Sequence, residues 1–187
     1  KAKIFNIDKS RIMKFFEIND VIVLAGFQGI NTEGYITSLG RGGSDTTAVA
    51  IASAISADRC DIYTDVEGVY SADPNIVPRA RKISKLAFEE MLEMSSTGAK
   101  VLHTRSVELA MKNNLVLQVL SSLTKKPGTL IVDEKKLIEK EIVSGVSYSK
   151  NESKITISGI PDKPGISAEI FGLLASKNIN VDMIVQN

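Results

Sequence analysis

The sequence predicts an α/β protein: a mostly parallel sheet covered by helices, followed by a smaller, partial α+β unit. Three observations carry this expectation. Apolar runs at Val21–Ala25 and Leu115–Leu120 alternate with helical segments, the pattern of strands buried on both faces. A glycine-rich stretch of ten residues, Leu39 to Ala48, opens one of those helices. Beyond a charged run at 133–141 the apolar runs give way to apolar–polar alternation, the mark of a half-buried strand.

The elements follow in order. Ile12, Met13, Phe15 and Phe16 recur at helical spacing, so Asp8 to Phe16 is a short amphipathic helix. Val21–Ala25 is a buried strand ended by Gly26, and Tyr35-Ile36-Thr37 is an arm of a hairpin. Asp45 to Ser56, rich in Ala and Ile, is a helix packed closely on the sheet, with Ser44 or Asp45 capping its first turn. Asp61–Thr64 is the next parallel strand, and Val66 to Asn75 is a loop whose Gly, Pro and Asp content forbids a regular element. Helices are expected at Phe88–Met94 and Ala99–Lys112, then a buried strand at Leu115–Leu120 and a short edge strand at Ile131-Val132. The charged run 133–141 reads as a helical linker between a domain at 1–132 and another at 142–187. In the second, Lys154–Ile160 is a strand, Ile166–Lys177 a helix with Ile170, Leu173 and Leu174 inward, and Val181–Val185 a second strand: half of a ferredoxin-like unit, with an open edge that calls for more chain or a partner.

The candidate chemistry centres on Leu39-Gly40-Arg41-Gly42-Gly43-Ser44-Asp45. Glycines let the backbone turn its amides toward a ligand, the helix dipole and Arg41 add positive potential, and an anion belongs there. A glycine turn that merely starts a helix is the plain alternative. The bracketing of the glycines by Arg41 and Asp45 argues against it, since that pair can hold a carboxylate on one side and organise cations on the other. The spacing fits neither a P-loop nor a dinucleotide fingerprint. Ligands in βα folds sit at carboxyl ends of strands, where Thr64-Asp65 falls. The following loop reads either as a plain surface connection or as a lid in which Tyr70 offers a face to a base and Asp65 accepts hydrogen bonds from a sugar or an amine. Lys100, placed in the first turn of its helix, opposes the dipole and so wants a reason, although a lysine on a helix surface is by default solvated. His103 reads as a packing or hydrogen-bonding residue, there being no second His to share a metal.

Composition excludes several classes. A net charge of +1, 5% aromatic residues and no Trp leave no electrostatic case for nucleic acid or membrane. The single Cys60 rules out an internal disulfide and a cysteine zinc site, and fits a reducing cytoplasm. No apolar run approaches a membrane span. The chain opens on Lys1 and stops within a strand-like run at Asn187, so it is expected to be a fragment.

Four motifs, in order, resemble the aspartokinases of the amino-acid kinase superfamily: Leu39-Gly-Arg-Gly-Gly-Ser-Asp-Thr-Thr-Ala, Ile62-Tyr-Thr-Asp-Val-Glu-Gly-Val-Tyr-Ser-Ala-Asp-Pro, Gly98-Ala-Lys-Val-Leu-His, and Pro161-Asp-Lys-Pro-Gly with Asn178-Ile-Asn-Val-Asp-Met. The last is similar to the start of an ACT regulatory domain. The resemblance implies the C-terminal part of a three-layer α/β/α kinase domain joined to the N-terminal part of an ACT domain. It further implies Mg-ATP-dependent phosphorylation of the L-aspartate side chain, on the route to lysine, threonine and methionine.

By residue, the resemblance implies that Arg41, Gly42, Gly43, Ser44 and Asp45 bind aspartate, with Asp45 orienting the catalytic cations; no residue is assigned as a direct metal ligand. Thr64, Asp65, Tyr70, Asp73, Pro74, Asn75, Lys100 and Val101 bind ATP, Lys100 meeting the phosphates. Asp162, Lys163, Pro164, Gly165, Ile166, Asn180, Val181 and Asp182 bind lysine or threonine as effector, the loop Asp162–Ile166 and the strand start Asn180–Asp182 lying side by side in each half and the ligand sitting between the ACT halves of a homo-oligomer. The sequence departs from the family at Asn75, where Arg is common, and at Thr104, where Pro usually follows the histidine. The family's N-terminal Lys-Phe-Gly-Gly motif is not in these residues, so the isolated chain is expected to be inactive. The other functional class is a non-catalytic regulatory subunit that binds nucleotide or amino acid without turnover.

Overall fold

The computed structural model describes residues 2–99, 101–137, 143–148, 153–161, 163–181 and 184, and packing divides the chain into units at 1–150 and 151–187. The first unit holds α1 (Lys9–Phe16), β1 (Gln28–Ile30), β2 (Ile36–Ser38), α2 (Gly43–Ala54), β3 (Arg59–Thr64), β4 (Lys85–Ala87), α3 (Phe88–Ser96), α4 (Thr104–Lys112), β5 (Val116–Ser121) and β6 (Thr129–Val132). The second holds α5 (Ile166–Ser176).

The main sheet has the order β3-β5-β6-β4. β3 pairs with β5 and β4 with β6 in parallel, while β5 and β6 run antiparallel, so the sheet is mostly parallel as expected. β1 and β2 form a separate antiparallel hairpin. Cys60 and Ile62 of β3 and Leu117 and Val119 of β5 alternate inward, and join Val49, Phe88, Met91, Val107 and Ile131 in one core. Val49, Met91, Val107, Leu117, Val119 and Ile131 are wholly buried, and burying an aliphatic side chain of this size is worth about 1.5–3 kcal/mol.

Only four residues separate the end of α2 from the start of β3, and three separate α4 from β5. Connections this short make each helix run antiparallel to the strand that follows. The N-termini of both helices therefore stand at the carboxyl edge of β3 and β5. Ser122 confirms that the two strand ends are level, donating to the Thr64 carbonyl from its N–H (2.8 Å) and its hydroxyl (3.0 Å).

Several expectations are corrected. Val21–Ala25 is not a strand: Val23 is 92% exposed, and no strand among the described residues pairs with it. An apolar strand requires a neighbour for its backbone as well as cover for its side chains. β6 is not an edge, because the three-residue β4, too short to show periodicity, pairs along its outer side. Neither Ser44 nor Asp45 caps α2; Gly42 does, in the left-handed conformation at φ +69°, with no side-chain cap. The second long helix starts at Thr104 rather than Ala99, with His103 as its cap. In the second unit, 153–160 is not a strand and is exposed throughout, since no described segment pairs with it. Leu173, expected inward on α5, is 65% exposed, and no residue of α5 is fully buried. Residues 138–141 of the linker, and 182, 183 and 185 of the expected last strand, lie outside the described residues.

Candidate functional site

The glycine loop is held by its own backbone and by α4. The Gly43 N–H donates to the Gly40 carbonyl (2.9 Å), and φ is +78° at Gly40 and +69° at Gly42. At Gly42 the conformation is compulsory for a second reason: a Cβ there would stand 2.2 Å from Cγ of His103. The His103 side chain thus stands directly against the loop at Gly42. Its Nδ1 accepts the Arg105 N–H (3.3 Å), which leaves the ring proton on Nε2 when the ring is neutral. Arg105 reaches back to the Leu39 carbonyl (3.4 Å), so the N-termini of α2 and α4 are tied together.

Inside α2, Thr46 and Thr47 donate their hydroxyls to the carbonyls of Gly42 (2.8 Å) and Gly43 (2.7 Å). Thr47 also accepts the Phe27 N–H (3.1 Å), which anchors the β1–β2 hairpin to the helix. Arg41 and Ser44 are exposed and Asp45 is half-buried in the first turn. With no side chain capping α2 among the described residues and the Gly43 N–H already given to Gly40, the Ser44 and Asp45 amides remain directed at whatever sits before them.

Thr64 ends β3 half-buried, its hydroxyl accepting the Val66 N–H (2.9 Å), and Asp65 beside it is exposed. Tyr70 is half-buried and bridges to Lys82, so this segment is one arm of a narrow antiparallel ladder rather than a free lid. Asp73, Pro74 and Asn75 form an exposed turn in which the Asp73 carboxylate accepts the backbone N–H (2.9 Å) and the side-chain amide (3.0 Å) of Asn75. Val101 is half-buried ahead of α4, and Lys100 lies outside the described residues. The dipole argument for Lys100 falls, because α4 begins only at Thr104. Cys60, next to Asp61, has its thiol pushed up to about 11 by burial first, with Asp61 and Asp45 adding to it.

The structure thus brings the 41–45 loop, the end of β3 and the approach to α4 to one edge of the sheet. The effector residues behave otherwise. Lys163, Pro164 and Gly165 are exposed, Gly165 caps α5 at φ +100° and Ile166 begins that helix. Asn180 and Val181 follow its far end, and eleven helical residues span about 16 Å, so within one copy the two clusters stand apart. Asp162 and Asp182 lie outside the described residues. Sequence reasoning missed Gly68 and Thr129, which pin the 64–70 loop from beneath; the Pro127-Gly128 turn before an apolar strand was the available signal. Among the described residues no cluster of three or more His, Cys, Asp or Glu could hold a metal ion, and no helix is long and apolar enough to cross a membrane.

A glycine-opened helix terminus and a strand end meeting at the carboxyl edge of a mostly parallel sheet define an α/β protein suited to an anionic ligand. The chain belongs to the amino acid kinase family, whose model matches residues 1–121, and an ACT domain model matches 152–187. It is 54% identical over 188 aligned positions to an aspartate kinase of Pseudomonas putida, covering 100% of this chain and 46% of that one. The chain therefore spans about half the length of the curated relatives it matches. Among solved structures it is similar to E. coli aspartokinase III in complex with aspartate and ADP (R-state), at TM-score 0.60 and 34% identity, covering 87% of this chain and 36% of that one. The same enzyme in complex with lysine and aspartate (T-state) gives TM-score 0.63 and 34% identity, covering 87% and 37%.

Proposed function

We propose that the protein to which this chain contributes is an aspartokinase, transferring the γ-phosphoryl group of Mg-ATP to the side-chain carboxylate of L-aspartate to give 4-phospho-L-aspartate, at the start of lysine, threonine and methionine biosynthesis. The observation that carries the reading is 54% identity along the whole chain to an aspartate kinase. The chemistry agrees with the residues present. A carboxylate acceptor is already ionised at neutral pH, so no general base is needed, and phosphoryl transfer relies on positioning and charge neutralisation. Magnesium supplies neutralisation of the phosphate oxygens when bound. For this chain's part, Arg41 pairs with a substrate carboxylate, Ser44 and the free amides of α2 hold it, and Asp45 orients the cation. Thr64, Asp65 and Tyr70 hold the nucleoside, with Asp73 to Asn75, Lys100 and Val101 toward the phosphates.

The second unit carries lysine or threonine between ACT halves of two copies, through Asp162 to Ile166 of one and Asn180 to Asp182 of the other. The separation of these clusters along α5 supports a dimeric site. Residues 1–132 belong to the kinase domain and 142–187 to the ACT domain, the enzyme works in the cytoplasm, and the chain alone does not turn over.

The test is Asp65→Ala in the full-length enzyme. ATP binding should weaken strongly while aspartate binding holds; equal loss of both, or no aspartate-dependent ADP release by the unaltered enzyme, would refute the assignment.

A further inference from the structure

We propose that Thr129 is a positioning residue for the nucleotide: its buried hydroxyl sets the height of the Asp65–Tyr70 loop above the sheet edge. The inference rests on the assignment of Thr64, Asp65 and Tyr70 to the nucleotide. From the end of β3 the chain must travel to the start of β4, and β5 and β6 lie between those strands in the sheet. The connection therefore crosses the carboxyl end of β5, where antiparallel β6 begins at Thr129 opposite Val119. A connection of this length without a fixed midpoint would leave its side chains unplaced.

Thr129 supplies that midpoint. It is wholly buried, and its hydroxyl accepts the Val69 N–H (2.8 Å) while donating to the Ile83 carbonyl (2.5 Å). A hydroxyl has one proton and can accept as well as donate, so one atom joins the outgoing and returning arms of the loop. Above this point the arms continue as a ladder: Ile83 N–H to Val69 carbonyl (2.8 Å), Tyr70 opposite Lys82, and Ser71 N–H to Arg81 carbonyl (2.8 Å). Gly68 lets the loop come so close. Its φ is +150°, and a Cβ there would stand 2.6 Å from the Thr129 hydroxyl and 3.1 Å from its backbone nitrogen. Glu67 adds ion pairs to Lys126 (2.8 Å) and Lys82 (3.7 Å), but pairs in contact with water contribute little next to a buried hydrogen bond left unmade. The 41–45 loop is held by Phe27, Thr47, His103 and Arg105, whereas the Thr129 hydroxyl bonds to Val69 and Ile83, so the effect should be confined to the nucleotide.

In the full-length enzyme, Thr129→Val keeps the shape and removes the hydrogen bonds, whereas Thr129→Ser keeps the hydroxyl. Calorimetric titration with the magnesium complex of a non-hydrolysable ATP analogue should show ~10-fold weaker binding for the valine variant, the scale of one buried donor left unpaired. The KM for aspartate should be unchanged and serine should restore nucleotide affinity. Wild-type affinity in Thr129→Val, parallel loss of aspartate and nucleotide, or failure of serine to rescue would overturn the proposal. Should Thr129→Val not fold, Gly68→Ala decides: weaker nucleotide with unchanged aspartate KM supports the anchor, and any other result refutes it. An unaltered enzyme that does not bind the analogue refutes the nucleotide assignment itself.

Discussion

Replacing Gly42 by alanine tests the contact on which the candidate carboxylate loop depends. Two costs add. At φ +69° an L-residue pays about 1–2 kcal/mol for the left-handed conformation, of which the stiffer unfolded chain returns about 0.4–1. The new Cβ would also lie 2.2 to 2.5 Å from three atoms of His103, so the imidazole must move and its cap on the Arg105 N–H, worth about 1 kcal/mol, is lost. The expected destabilisation is about 2 kcal/mol. In a His103→Gly background, which removes Cβ as well as the ring, the second cost vanishes, leaving about 1 kcal/mol and a coupling energy of about 1 kcal/mol between the positions. The assay is equilibrium urea unfolding of the full-length protein and its single and double variants, read from the transition midpoint at unchanged m-value. A coupling energy below about 0.3 kcal/mol, the scatter of independent sites, would show that His103 does not lie on Gly42.

Three further outcomes follow from the same physics. Ser53 Oγ is buried with no hydrogen-bond partner among the described residues, so Ser53→Ala should raise stability by up to ~1 kcal/mol; a clear loss would mean that an unseen partner exists. Gly128 stands where β6 meets β5, and a Cβ there would sit 1.8 Å from the Val119 carbonyl, so Gly128→Ala should cost about 3 kcal/mol or more in the same unfolding assay; a near-neutral result would refute this strand register. The Cys60 thiol, ordinarily at 9.0 and raised to about 11, keeps its proton in the fold after the unfolded chain has lost it. Its contribution to stability is therefore constant below about pH 9 and falls between about pH 9 and 11. Thiol labelling at pH 8 should be slow in the native protein and fast in urea, and equal rates would contradict burial.

The sequence alone determined the elements whose signals are local. Glycines 40, 42 and 43 followed by a small-residue run could only open a helix, and α2 begins at Gly43. Apolar runs beside short turns marked β3 and β5, and the Asp8 N-cap started α1 one residue later than expected. The motif words at 39–48, 62–74 and 98–103 located the candidate site along the chain, because a loop that must expose its backbone carries glycine wherever it folds. What tertiary structure decided is whatever depends on a partner distant in sequence. Val21–Ala25 has every local quality of a strand, yet no described segment supplies its hydrogen bonds, while Lys85–Ala87 shows none of those qualities and is a strand because β6 lies beside it. Ser44 and Asp45 are good capping residues that do not cap, since the left-handed turn at Gly42 directs the chain another way and His103 occupies the space beside it. Thr129 reads as an ordinary strand residue until Val69 and Ile83, 60 and 46 positions away, are placed on its hydroxyl. A hydrogen bond or a strand pair is a relation between two segments, and a single segment read alone shows only the capacity to form it.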